Sequence, residues 1–347
     1  MKIKRILMLG AFSPGSLENY YKTGFEKHDV AIETFGLADK FYAILNRSIV
    51  NKVINKLSPD FYYSQINEAL LRFIEKKRYD VILVFKGMEL FPDTVKQLKK
   101  HAEIIANYNP DHPFVFFFPG SGNNHVLKSI PYYDVHFSYA RNIVKKLQKD
   151  FNKPAYCVPF GYDSNVALPY NDSQSAYAGR ILFIGAYDKL RAKYLNKLKS
   201  SWLDIYGDDK WGSRSVLSQY LRKAYRNKSL YGNDYSSAVA SSVGILNILR
   251  KQNLVEDSHN MRTFEVPGYG GVLIAERTSE QMEYFEENNE AIFFSSAEEL
   301  GDKMEFLATH PDTAESIKQA AYQKSISAGY SYDHRSSQLL QCLQNHF

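Results

Sequence analysis

The chain has 347 residues, about twice the usual length of one domain, so two packed domains are expected and a single small binding module is excluded. With 44% hydrophobic, 14% aromatic and 23% charged residues it can bury sizeable cores, which excludes long disordered stretches. The net charge of +5 is uneven: residues 1–163 carry 23 basic against 16 acidic residues, and the remainder 20 against 22, so the first half suits either an anionic partner or an ordinary solvated face.

Cys157 and Cys342 stand far apart without a metal-ligand spacing, so neither a disulfide framework nor a zinc site is expected, and a reducing, cytoplasmic setting fits. The start MKIKRILMLG has too short an apolar run for a signal peptide and reads as a first strand. The longest apolar runs, VILVF and FVFFF, fall far below the roughly 20 residues that span a bilayer.

In chain order, strands are predicted at Ile3–Leu9, Val30–Phe35, Val81–Phe85, Ile104–Tyr108, Val135–Tyr139 and Ala155–Pro159, with amphipathic segments between most of them. In LLRFIEKKRYDVILVF the helical spacing of Leu70, Leu71 and Ile74 gives way to an apolar run typical of a strand buried on both faces. Residues 160–179 are rich in Pro, Gly, Ser, Asn and Asp and read as a hinge. The alternation restarts at GRILFIGAYDKLRAKYL, with strands at Ile181–Ile184, Leu203–Tyr206, Val243–Ile248, Val272–Ala275 and Ala291–Phe294, and a last helix from about Tyr332. The expected fold class is α/β, with two Rossmann-like domains facing across a cleft that collects the loops at the strand carboxyl ends.

No GxGxxG follows the first strand and no GxxxxGK[ST] occurs, which disfavours nicotinamide dehydrogenases and P-loop NTPases. The turn GAFSPGS, with Gly10, Ser13 and Gly15, reads as a substrate-side loop or as a plain strand-to-helix turn. Asp111, His112, Ser121, Asn123, Asn124 and His125 crowd the segment after a predicted strand, where Asp111 or His125 suits proton transfer from a hydroxyl, and where the alternative is a capped surface loop. Lys189 and Arg191, beside a predicted helix start, suit a diphosphate. Glu265, with Asn260 and Arg262 a helical turn or less before it, suits a ribose diol, since a carboxylate accepts from both hydroxyls. The pair Asp208-Asp209 reads as a turn, and no convincing metal-ligand spacing appears.

The strings ILFIGA, LDIYGDD, SSVGILNILR, NMRTFEVPGYGGVLIAE and YSYDHR, from Arg180 to about Arg335, resemble the CgeB-like branch of the group 1 glycosyltransferases. YNPDHPF and SIPYYDVHFSYA extend the resemblance more weakly to the first half. It implies a GT-B fold, with residues 1–162 on the acceptor side, 163–330 binding a nucleotide sugar, and 331–347 as a helix crossing back to the first domain. It implies donor contacts at Arg191, Asn260, Arg262 and Glu265, with Gly185, Lys189, Tyr206, Gly270 and Gly271 beside them. Related retaining enzymes pair two acids eight positions apart; here Asp257 stands where a glutamate is expected. The expected activity is metal-independent, cofactor-free transfer, retaining, from a UDP-type sugar to a hydroxyl of a glycan, surface-polysaccharide or lipid-linked acceptor. Two other readings stand beside it: a non-catalytic carbohydrate- or nucleotide-binding protein, and a sugar-nucleotide epimerase. The segment LNRSIVNKVINKL, residues 45–57, reads either as a core-facing helix or as a peripheral membrane contact at the inner face. Dispersed basic residues and the absence of a known motif argue against nucleic-acid binding.

Overall fold

The computed structural model describes residues 2–51, 54, 58–118, 120–166, 175–214 and 218–347. Much of the expected hinge, residues 167–174, and much of the segment at 45–57 therefore lie outside the described residues. The chain divides into two compact units, Met1–Pro159 with Tyr332–Phe347, and Phe160–Ser331.

Unit 1 runs β1 (Arg5–Gly10), α1 (Leu17–Glu26), β2 (Ala31–Gly36), α2 (Leu37–Leu45), α3 (Asp60–Ile74), β3 (Tyr79–Phe85), α4 (Pro92–Leu98), β4 (Ala102–Asn109), α5 (Asn124–Ser129), β5 (Val135–Ser138), α6 (Arg141–Phe151) and β6 (Ala155–Cys157). The strands form one sheet in the order β2-β1-β3-β4-β5-β6, and every neighbouring pair is parallel. A strand covered on both faces has no polar side to show, which is why VILVF is fully buried. Leu7, Leu9, Ile82, Val84 and Ile105 point to one face and pack with α2, α3 and α4.

On the other face Tyr21 of α1 meets Phe85, Tyr108 and Tyr332, the last from the final helix α16 (Tyr332–Gln344). Helices α1 and α16 approach closely because Gly24 has no side chain: a Cβ there would lie 2.2 Å from Ser336 Oγ. Tyr20 stacks on Tyr332 and Lys27 pairs with Asp333 at 2.6 Å along the same seam. A Gly24→Ala change gains about 1 kcal/mol of helix propensity but overpacks this contact at about 1–3 kcal/mol. The expected result is a net loss, read as a fall of several degrees in the unit 1 calorimetric transition; an unchanged or raised transition would refute the close contact.

Unit 2 runs β7 (Ile181–Ile184), α7 (Lys189–Leu198), β8 (Leu203–Tyr206), α8 (Lys210–Arg214), α9 (Gln219–Ala224), α10 (Gly232–Ser241), β9 (Gly244–Asn247), α11 (Lys251–Val255), α12 (Arg262–Gly268), β10 (Leu273–Glu276), α13 (Ser279–Tyr284), β11 (Ile292–Phe294), α14 (Ala297–Thr309) and α15 (Pro311–Ser327). Its sheet is also parallel, in the order β11-β10-β9-β7-β8. Phe183, Ile205, Leu246 and Ile274 build its core with Leu195, Met304 and Ile317.

Residues 160–162, which the sequence reading gives to the first domain, pack with unit 2. The Phe160 N–H donates to His259 Nε2 at 3.3 Å, Tyr162 N–H donates to Tyr330 O at 3.2 Å, and the Tyr162 ring fills the space left by the missing side chain of Gly268. Among the described residues no helix is long and apolar enough to cross a membrane.

Candidate functional site

In unit 2 the carboxyl ends of β7, β8 and β9 lie side by side, so the turns that follow them share one rim. The turn after β7 is held by its neighbour: Gly185 N–H donates to Tyr206 O at 2.8 Å, and Gly185 O accepts from Trp211 Nε1 at 2.8 Å. Asp208 accepts the Tyr187 N–H at 3.2 Å, so this member of the Asp208-Asp209 pair braces the same turn.

Helix α7 does not offer its first amides to a ligand. Asp188 caps them, accepting from Leu190 N–H and Arg191 N–H at 2.9 and 3.1 Å. The expectation of a diphosphate contact at Lys189 and Arg191 therefore rests on their side chains and not on the α7 amides. Lys189 is exposed.

Arg191 is only 5% exposed and reaches across to β9, where Nε and one terminal nitrogen both donate to Ile248 O, at 3.0 and 2.8 Å. Burial pushes its pKa down to about 9, and the charges of Arg262 and Arg250 push the same way, only partly offset by Asp188 and Glu276. Arg262 lies beside Gly185, 3.7 Å from where a Cβ would sit, and its Nε is buried with no hydrogen-bond partner. A buried charged donor without an acceptor is costly unless a ligand supplies one.

Glu265, in α12, is half-buried, and its carboxylate accepts from Tyr235 OH at 3.2 Å. Burial raises its pKa, while Arg262 and Tyr235 pull it back. Asn260 exchanges two hydrogen bonds with Asn247 at the end of β9, at 3.0 and 2.8 Å, so its amide fixes the start of α12. Gly270 makes the turn at φ 74, and Gly271 lets the chain pass Val239 of α10, 2.5 Å from the position of a Cβ. Gly270 thus serves the backbone turn and Gly271 the packing. Tyr206 is 6% exposed and meets Tyr177 edge-on at 5.7 Å. Asp257 is exposed, on a left-handed residue at φ 49, and its carboxylate accepts Ser279 N–H at 3.0 Å at the start of α13.

In unit 1 the loop after β4 is largely self-organised. His112 is buried, and its Nδ1 accepts from Phe114 N–H at 3.2 Å and Val115 N–H at 2.9 Å, which fixes the ring as a turn organiser. Ser121 is fully buried and donates to Phe118 O at 2.8 Å. Asn123 caps α5 by accepting from His125 N–H and Val126 N–H, and Asn124 is exposed. His125 Nε2 lies 2.9 Å from Asp60 Oδ1, and the ring packs edge-on against Tyr63 and Phe91. Asp111 forms an ion pair with Lys86 at 2.7 Å. These contacts give His112, Ser121 and Asn123 structural roles and tie Asp111 and His125 to charged partners.

The first turn is different in kind. Ser13 and Gly15 are exposed, and Gly15 adopts φ 78. Gly10 makes room for Glu18, whose Oε1 would lie 2.5 Å from a Cβ at that position. Sequence reasoning missed Glu18, Asp39 and Lys86 here, and Arg250, Tyr235 and Asn247 in unit 2. An acid in the first turn of a helix that follows a glycine turn, and a lysine-glycine pair closing an apolar strand, are the signals that point to Glu18 and Lys86.

Residues 190–341 match the protein family described as glycosyl transferase-like. No curated protein matches the chain in sequence. Solved structures share its fold over nearly the whole length. Sucrose-phosphate synthase from Thermosynechococcus elongatus has a TM-score of 0.73 at 10% identity, over 99% of this chain and 98% of that one. HepE from Anabaena, solved in complex with UDP-glucose, has a TM-score of 0.63 at 11% identity, over 98% and 99%. A putative UDP-N-acetylglucosamine 2-epimerase from Listeria monocytogenes has a TM-score of 0.61 at 12% identity, over 100% and 97%. The two Rossmann-like units with all-parallel sheets share the GT-B fold of these structures, and the glycosyl transferase-like match lies mostly in the second of them.

Proposed function

We propose that the protein transfers a glycosyl group from a nucleoside-diphosphate sugar of the UDP type to a hydroxyl of a glycan or lipid-linked acceptor, without a metal. Unit 2 takes the donor and unit 1 the acceptor. The NMRTFEVPGYGG string supports the CgeB-like branch as the finer placement.

The observation that carries this reading is the buried, unpartnered Arg262 Nε beside the β7 turn, with the buried Arg191 held at Ile248 O just after β9. Like charges held together raise the energy of the empty site, and a diphosphate relieves it. When the bond to the anomeric carbon breaks, negative charge develops on the departing diphosphate. Cations already fixed by the fold stabilise that charge without reorganising. Glu265, whose carboxylate accepts from Tyr235 OH, suits two ribose hydroxyls. Transfer with retention is the outcome the resemblance favours, with Asp257 standing where a glutamate is expected.

Thermal-shift titration with UDP, GDP, dTDP, CMP and ADP and their sugar conjugates tests the reading, because a ligand of the native state raises its apparent stability. Selective stabilisation by one diphosphate, with release of that diphosphate when an acceptor is supplied, is the expected result. Conversion of the donor to an isomer with no diphosphate released would identify an epimerase instead. Glu265→Ala is expected to weaken UDP and UDP-glucose alike, by about tenfold to a hundredfold, since the ribose is common to both and a hydrogen bond to a charged group is worth about 1.5–3 kcal/mol. Unchanged affinity for both would remove Glu265 from the site.

A further inference from the structure

The carboxylate of Glu265 is held on one side only. Tyr235 OH donates to Oε2 at 3.2 Å, and no other described residue donates a hydrogen bond to either oxygen. A carboxylate offers about four lone-pair sites, so a hydroxyl seated on one oxygen leaves the other to a ligand.

Packing fixes the phenol. Tyr235 stands one turn into α10, a helix pressed against the turn that follows α12: a Cβ on Gly271 would lie 2.5 Å from Val239 Cγ1 and 2.9 Å from Val239 O. The far end of α10 is tied down by Lys318 of α15, whose Nζ donates to Ala240 O at 2.7 Å. The Tyr235 ring meets Tyr269 edge-on at 6.0 Å, and the Tyr269 N–H donates to Glu265 O at 2.9 Å. The Tyr269 hydroxyl in turn accepts the Asp163 N–H at 3.3 Å. Phenol and carboxylate therefore face each other from two helices whose separation is already set, which is how packing orients a binding group before its ligand arrives. Joining α10 to α12 does not account for the hydroxyl, because the contact of Gly271 with Val239 joins them without it.

The pairing also bears on the charge of Glu265. Burial pushes its carboxyl up, Arg262 of the same helix pulls it back, and the hydrogen bond from Tyr235 adds to that pull. Tyr235 is itself pushed far up, by burial first and then by the Glu265 charge, so it stays a neutral donor; Tyr269 stands beside it. These are the titratable groups that face the carboxylate. A ligand hydroxyl donates more strongly to a carboxylate than to a carboxylic acid.

We propose that Tyr235 is a positioning residue of the donor site: its hydroxyl seats one oxygen of Glu265 so that the other is presented to the ribose, and the site thereby selects ribonucleoside over 2′-deoxyribonucleoside diphosphates. This rests on the transferase reading above, with Glu265 as the ribose ligand, and it acts wholly within unit 2. Ribose offers two adjacent hydroxyls to one carboxylate. The 2′-deoxy sugar offers one and leaves an oriented acceptor without its donor, which costs more than the bond alone.

Calorimetric titration of the full chain with UDP and with 2′-deoxy-UDP tests this, because the two share their base and diphosphate. The wild type is expected to prefer UDP by about tenfold to a hundredfold, as for a hydrogen bond to a charged group. Tyr235→Phe keeps the ring against Tyr269, so folding is expected to persist, while the preference is expected to shrink by about threefold to tenfold. The wild-type preference is also expected to fall on acidification, as the carboxyl takes up a proton. In Tyr235→Phe that fall is expected at higher pH, since a donor that holds the carboxyl down is gone. In a Glu265→Ala background Tyr235→Phe is expected to change neither affinity, because its effect passes through Glu265. A Tyr235→Phe protein with the wild-type preference and pH profile overturns the assignment. So does a wild type that binds both nucleotides equally, a result that needs no variant to fold. If a folded wild type binds neither nucleotide, the transferase reading falls, and the role of Tyr235 with it.

Discussion

Arg262→Met is expected to lose nucleoside-diphosphate binding while unit 2 stays folded. Two opposing effects set its stability. Methionine removes the buried, unpartnered Nε and the like charge that depresses the Arg191 pKa, and both changes favour the folded state. It also removes the positive charge that steadies the buried Glu265 carboxylate, which disfavours it. The two partly cancel, so the net change is expected to stay within about 1 kcal/mol, the ordinary range for a single substitution. Binding has no such compensation. A charge-assisted contact is worth about 1.5–3 kcal/mol, so UDP affinity is expected to fall by about tenfold to a hundredfold. The rate is expected to fall further, by roughly 10²–10³, if Arg262 meets the charge that develops on the leaving diphosphate. Calorimetric titration with UDP and a thermal scan of the same sample separate the two quantities. A variant that binds UDP like the wild type would remove the arginine rim from the donor site, whereas a variant that fails to fold would show Arg262 to be structural.

The contrast between what the sequence discloses and what it hides follows from the range of the interactions involved. All eleven described strands lie where apolar runs predict them, because a parallel strand covered on both faces must be apolar along its length. The α16 helix is equally legible from its amphipathic spacing. Site chemistry depends on strand order, which no local pattern encodes. Glu18 and Lys86 are 68 positions apart and share an electrostatic field because β1 and β3 are neighbours in the sheet. Arg191, Arg250 and Arg262 converge in the same way, after β7 and β9 are set side by side.

Local roles show only in the structure: Asp257, a left-handed residue between α11 and α12, caps the start of α13. Asp188, immediately before KLR, is a readable N-cap signal, and its carboxylate occupies the first amides of α7.

Gly207→Ala is expected to be the most damaging of the conservative changes in unit 2. A Cβ at this position would lie 2.1 Å from Gly185 O and 2.8 Å from the Trp211 ring. Neither neighbour gives way easily. The first is backbone held by the Gly185–Tyr206 hydrogen bond, and the second is a fully buried indole whose N–H donates to that same Gly185 oxygen. Overpacking a rigid site costs about 1–3 kcal/mol, and a backbone obstacle places this one at the upper end. For a unit of this size each kcal/mol lowers the midpoint by about 2–4 °C, so a fall of roughly 5–10 °C in the unit 2 transition is expected. Gly270→Ala is the control. It sits at φ 74 with nothing within 4 Å of its Cβ, so it carries backbone strain alone, about 1–2 kcal/mol. The two changes also separate stability from function. Moving the turn after β7 shifts Gly185 against Arg262, so Gly207→Ala is expected to weaken UDP binding even below its melting transition. Gly270→Ala is expected to leave binding intact at the same fraction folded. Equal losses of affinity in both variants would mean that the β7 turn does not shape the donor site.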